Sequence, residues 1–149
     1  MPDAFTTALM LLSARDLSEA QLRARLIRRQ LDPGEIESTI HKLRHDGTLS
    51  DRRVALAAAR MESTIRHRGR ARVLHTLRQM GIDGSIAESA VNDVFEEVDE
   101  NALLDRAFER RLRGKSPREL DEKGRARIVR GLAAQGFAIE AILTRLRLQ

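Results

Sequence analysis

His41 and His45 stand four residues apart in the stretch HKLRH, a spacing that presents two imidazoles on one face of a helix, as metal sites do. No Glu lies between them, only Asp46 adjoins, and the chain has no cysteine, so the pair reads as exposed polar histidine. The acidic run Asp93, Glu96, Glu97, Asp99, Glu100 and Asp105 fits a solvated or arginine-pairing helix junction better than a cation site. Serines fall mainly at predicted helix starts, where their hydroxyls are needed as caps, and no G-x-S-x-G context surrounds them. Glycines stand singly, so no loop cradles a phosphate. The expectation is a protein that is not an enzyme and needs neither metal nor cofactor.

The chemistry that remains is charge. Arg60 to Arg72, with Arg66, Arg68 and Arg70 between, is the densest cationic stretch, and arginines meeting phosphates bind in a salt-sensitive, sequence-blind way. Aromatic residues make up only 3% of the chain, with no Trp or Tyr, and Phe5, Phe95, Phe108 and Phe137 all fall on predicted core stripes. Platforms for stacking single-stranded bases are therefore absent.

The elements that position these residues are helical throughout, since no run shows the period-two alternation of a strand. Ser18 to Gln21 forms a capping box, and Asp32-Pro33-Gly34-Glu35 another helix start. Ser50 is predicted to cap a longer helix with the stripe Val54, Ala58, Met61 and Ile65; Phe5, Leu9 and Leu12 set the first stripe, and Ile139, Ile142, Leu143 and Leu146 the last. A capping box over Ser116 to Glu119 is expected to open a helix that runs through Ile128 and Leu132 to Gly136. These readings predict an all-α protein of about nine helices.

GRARVLHTLRQMGI, from Gly69, and GRARIVRGLAAQGF, from Gly124, are nearly one segment written twice, 55 residues apart. Sliding the first third by 51 residues lays Leu22 on Val73, Leu26 on Leu77 and Leu31 on Ile82. The chain of 149 residues is thus expected to be three tandem three-helix repeats, over 4–49, 50–98 and 99–149, stacked into an elongated curved body. The apolar patch ALMLL is too short to span a bilayer and follows Asp3 instead of basic residues, which suggests a core helix in a cytoplasmic protein.

Net charge is +5, favouring acidic partners, and it is unevenly spread. Residues 1–50 hold seven basic and seven acidic side chains, 51–98 eight and seven, and 99–149 twelve and eight. On a helical wheel, Arg72, His75 and Arg78 lie opposite Val73, Leu77 and Met80, and Arg127 and Arg130 recur opposite Ile128 and Leu132. The first copy has Gln21 and Ala24 in those places. The candidate partner- or phosphate-binding edge is therefore Arg66, Arg68, Arg70, Arg72, His75, Arg78, Arg125, Arg127 and Arg130. A helix-turn-helix protein acting on duplex DNA is the rival reading, because short helices joined by tight turns are that motif's raw material. Against it, the turns recur in all three units.

LSEAQLRARLIRRQLDPGEIESTIHKLRHDGTLSD, the GRARVLHTLRQMGI segment and the closing LAAQGF together resemble the RecX family, negative regulators of the bacterial RecA recombinase. The resemblance runs from about Ala8 to Leu146; Leu49-Ser50-Asp51 with Ala55, Leu77 to Ile82, and Gly136-Phe137 are its most specific marks. It implies three-helix repeats, no catalytic activity, binding in the groove of the RecA–DNA filament, suppression of its ATP hydrolysis and strand exchange in DNA repair and the SOS response, and weak, sequence-independent contact with DNA. A monomer that needs no membrane is expected. The chain departs from its relatives at Val54, where they often carry an aromatic, and at Gln135, where a basic residue commonly precedes Gly-Phe.

Overall fold

A computed structural model describes residues 2–147. Nine α-helices occur among them: α1 (Ala4–Ala14), α2 (Glu19–Arg28), α3 (Pro33–His45), α4 (Asp51–Arg60), α5 (Arg70–Gln79), α6 (Gly84–Glu97), α7 (Glu100–Leu112), α8 (Glu122–Ala134) and α9 (Ile139–Arg147). A π-helical turn, Met61–Ile65, extends α4, and a 3-10 turn, Pro117–Glu119, precedes α8. The described residues contain no strand, and no helix among them is long and apolar enough to cross a membrane.

Helix packs on helix in sets of three, α1–α3, α4–α6 and α7–α9. Each set has its own apolar cluster, centred on Leu22, Leu26, Ile36 and Ile40 in the first, Val73, Leu77, Ala87 and Ala90 in the second, and Leu104, Ile128, Leu132 and Ile142 in the third. The repeated stripe is therefore the buried face of α2, α5 and α8, and each such Leu or Ile stabilises by roughly 1.5–3 kcal/mol against leaving it exposed. Phe95 and Val98 touch both the second and third clusters.

Local chemistry sets the helix ends. Ser18 accepts from Gln21 N–H while Gln21 reaches back to Ser18 N–H, and Asp32, Ser50 and Asp83 cap α3, α4 and α6. The capping box at Ser116 and Glu119 forms, but it heads only the 3-10 turn; α8 starts afresh under Asp121, whose carboxylate accepts from Gly124 N–H. Two stripes also differ from expectation. On α4 and its π turn the buried residues are Val54, Ala55, Ala59, Glu62 and Ser63, whereas Met61 and Ile65 are 51% and 69% exposed. The alanine face turns inward because α4 lies against the small residues of α6, and a small face lets two helices approach closely. In α1, Ala4, Thr7 and Ala8 are buried while Leu9 is exposed, and in α9 Ile139 is exposed.

The sets are joined at helix ends, by one joint made twice. Between the first and second sets, the Ser18 hydroxyl donates to Met80 O (2.6 Å) and Glu19 N–H to Asp51 Oδ1 (2.7 Å). Between the second and third, Gly69 N–H donates to Gln135 O (3.0 Å), Ala71 N–H to Gly136 O (3.3 Å) and Arg70 N–H to Glu100 Oε2 (2.7 Å). In both, the start of a middle helix meets the end of the next middle helix and an acidic residue at the start of the next first helix. The contact demands glycine: a Cβ at Gly81 would lie 2.4 Å from Ala20 Cβ, and one at Gly69 would lie 2.5 Å from Gly136 O.

Gly69→Ala is expected to destabilise the protein by about 1–3 kcal/mol, the usual penalty of overpacking, although Gly69 has an ordinary φ of −78°. Gly84→Ala, at a helix start with nothing within 4 Å of the new methyl, is expected to be neutral or stabilising by up to about 1 kcal/mol. Urea unfolding of the two variants checks this; equal effects would mean that the close joint carries no strain.

A candidate cationic cleft

The expected basic edge is divided by the structure. Arg66 and Arg68 bend back on Glu62, which is 5% exposed, with Arg68 Nη1 at 2.8 Å and Arg66 Nη1 at 3.3 Å from its two oxygens. A buried carboxylate needs both hydrogen bonds and opposite charge, so these arginines serve the fold. The chain turns back on the same residue, with Arg68 N–H donating to the main-chain Glu62 O (3.0 Å) and His67 in the left-handed region at φ 55°. Arg70 donates to Asn92 Oδ1 and lies 5.5 Å from the Phe95 ring centroid. Arg72 is half-buried, its Cβ against Gly136 and its Nε buried without a partner; it belongs to the joint and not to an open edge.

His75, Arg78, Arg127 and Arg130 are exposed as expected, Arg78 loosely paired with Glu88 at 3.4 Å. Arg125 is half-buried and donates to Pro117 O (3.0 Å), tying the 3-10 turn to α8. The nine residues therefore do not form one surface. His41 and His45 stack with centroids 6.4 Å apart, and no group of three or more His, Asp or Glu among the described residues could hold a metal.

In the first two sets several other arginines also have internal partners. Arg23 and Arg44 hold Glu19, Arg53 holds Asp16 (3.0 Å) and Arg52 pairs with Asp93. The hydrogen bond from Arg44 and, after it, that from Arg23 keep the Glu19 carboxyl below its ordinary value, against the opposing effect of burial. The stability Glu19 contributes is thus present above the unfolded carboxylate pKa and is lost as pH falls through the lowered folded value.

The third set differs. Between the end of α7 and the start of α8 opens a cleft of about 700 Å3, walled by Arg110, Arg111, Arg113, Lys115, Lys123 and Arg127, with Leu112, Leu120 and Ile128 also lining it. Its two carboxylates, Glu119 and Asp121, are occupied as caps of the 3-10 turn and of α8. Among the described residues, Arg110, Arg113, Lys115, Lys123 and Arg127 have neither an ion-pair nor a hydrogen-bond partner. A concave surface on which six cations outnumber two carboxylates, five of the six without an internal partner, is suited to an anionic partner. Only Arg127 among these was expected. The others carried one signal, the cationic excess of the last third, and lie on α7, in the loop and at the first turn of α8, where the repeated wheel pattern does not reach.

The first three-helix domain of RecX matches residues 4–43 as a family model. The regulatory protein RecX of Syntrophotalea carbinolica is 35% identical over 139 residues, 91% of this chain and 89% of that protein. That of Pelodictyon phaeoclathratiforme is 33% identical over 148 residues, 99% and 89% of the two chains. A crystal structure of a regulatory protein RecX superposes with a TM-score of 0.83 at 20% identity, over 98% of this chain and 70% of that one, which shows the fold.

Arg68→Ala is expected to lose about 1–3 kcal/mol of stability by leaving Glu62 buried with a weaker partner. Arg127→Ala should stay within about 0.5 kcal/mol. Chemical denaturation distinguishes a fold-serving arginine from a surface one; a neutral Arg68→Ala would show that Arg66 alone suffices for Glu62.

Proposed function

Because the chain belongs to the RecX family of regulatory proteins, we propose that it binds in the groove of the RecA–DNA filament and suppresses ATP hydrolysis, recombinase activity and strand exchange. It acts as a binding protein, without catalysis, in DNA repair and the SOS response. The three units, 4–49, 50–98 and 99–149, lie along the groove and span more than one RecA protomer. The observation that carries this reading is the α7–α8 cleft, where Arg110, Arg113, Lys115, Lys123 and Arg127 have no internal partners and are available to an acidic filament surface. Joints tightened by main-chain hydrogen bonds support it as well, since an array that holds its shape can obstruct neighbours it does not fully cover. Contact with DNA is weak and sequence-independent, through phosphates alone.

Added to RecA filaments preformed on single-stranded DNA, the protein is expected to lower ATP turnover and strand exchange at less than one molecule per RecA. Inhibition should weaken as salt rises, because exposed charges are screened beyond roughly 10 Å at 0.1 M. Reversal of Arg113, Lys123 and Arg127 to Glu should raise the concentration needed by roughly tenfold with folding retained. Unchanged filament activity at stoichiometric protein, together with tight sequence-selective duplex binding, would overturn the proposal.

A further inference from the structure

Beside the joint between the second and third sets lies another cleft, of about 370 Å3, lined by His67, Arg106, Ala107, Arg110, Arg111 and Gln135. No carboxylate lines it. Arg106 and Arg110 stand four apart on α7, a like-charge spacing that weakens a helix unless something neutralises it. Arg106 donates only to Ala102 O of its own helix (3.4 Å), and Arg110 has no partner among the described residues.

Arg111 is held in place. Its guanidinium lies over Gly131, where an added Cβ would come within 2.1 Å of Nη1, and Nη2 donates to Gly131 O (3.2 Å) and Gln135 Oε1 (3.4 Å). Gln135 in turn donates through Nε2 to His67 O (2.8 Å), and its carbonyl accepts the Gly69 N–H that closes the joint. A guanidinium has five N–H donors, so Arg111 retains capacity for a ligand while fixed to the residue that bridges the two sets.

We propose that this cleft binds a dianionic phosphate group between Arg106, Arg110 and Arg111, with His67 across the joint, and that occupancy tightens the joint. Planar guanidinium forks match phosphate oxygens, and three guanidiniums converging from α7, with the His67 imidazole opposite, suit a monoester with three free oxygens better than a diester with two. Inorganic phosphate, a nucleotide or a phosphorylated strand end all present that group. The site needs neither filament nor partner protein, so it stands or falls separately from the regulatory reading.

Two-dimensional NMR of the full chain, at low and constant ionic strength, would follow titrations with inorganic phosphate, adenosine monophosphate, and an oligonucleotide with and without a 5′-phosphate. Expected are saturable shifts centred on His67, Arg106 and Arg110, tighter binding of the 5′-phosphorylated strand than of its bare counterpart, and slower amide exchange at Gly69 and Ala71. Arg106→Gln with Arg110→Gln should weaken phosphate binding at least about tenfold, whereas Arg113→Gln with Lys123→Gln should leave it within about twofold. Shifts that never saturate, or equal weakening by both pairs, would overturn the site. Unaltered exchange at Gly69 and Ala71 at saturation would overturn its coupling to the joint.

Discussion

The N–H groups at the start of a helix have no partner within it, and the way α2 and α5 satisfy theirs governs how this molecule is put together. The Ser18 hydroxyl and Glu19 N–H, and likewise the N–H groups of Gly69, Arg70 and Ala71, find acceptors in the following set: the last carbonyls of its middle helix and the leading carboxylate of its first helix. Local capping and assembly of the sets are consequently one event. Backbone acceptors also bring main chains close, which leaves no room for a side chain at Gly81 and Gly136, the left-handed residues (φ 78° and 111°) that follow their helices. Neither Gln30 at the end of α2 nor Asp121 at the start of α8 repeats the pattern. Gln30 places a side chain where the other two middle helices have glycine, and Asp121 caps its helix with its own carboxylate.

The same joint sorts the arginines. Several near it are used internally: Arg68 on the buried Glu62, Arg72 against Gly136, Arg53 on Asp16. Away from it, at the end of α7 and the start of α8, they are left for solvent and partners. Net charge alone therefore misjudges where binding occurs, because a cation already paired with a carboxylate offers an incoming anion little. Arg110 and Arg111 line both clefts and make the third set's cationic surface continuous with the joint.

Much of the fold is legible in the residues. Leu22, Val73 and Ile128, with Leu26, Leu77 and Leu132, announce three equivalent buried faces, and the caps at Ser18, Asp32 and Ser50 fall where expected. The α4 face is harder to read, since alanines and a glutamate take the inward positions and the larger Met61 and Ile65 face out. No hydropathy pattern marks a carboxylate as buried when the two arginines that neutralise it lie four and six residues further on. The candidate site is less legible still. Arg127 and Arg130 follow from the wheel, but the cleft arises where α8 begins anew after the 3-10 turn, and that depends on Asp121 taking the cap from Ser116. Arg66 and Arg68 look like phosphate ligands for the same reason that they suit Glu62: guanidinium forks fit any pair of oxygens.

Direction along the chain has a further meaning in the joint. Every main-chain donor of the joint lies upstream of its acceptor: Glu19 waits for Asp51, and Gly69 for Gln135. A polypeptide emerging from the ribosome N-terminus first leaves the Glu19 amide facing water until α4 has begun and the Ser18 hydroxyl until α5 has been synthesised, and the leading amides of Gly69 and Ala71 until α8 has followed. The first set can gather its apolar cluster early, yet its middle helix gains its last partners only when some sixty further residues are out. Translation therefore completes the molecule backwards, each newly made set closing the one before it.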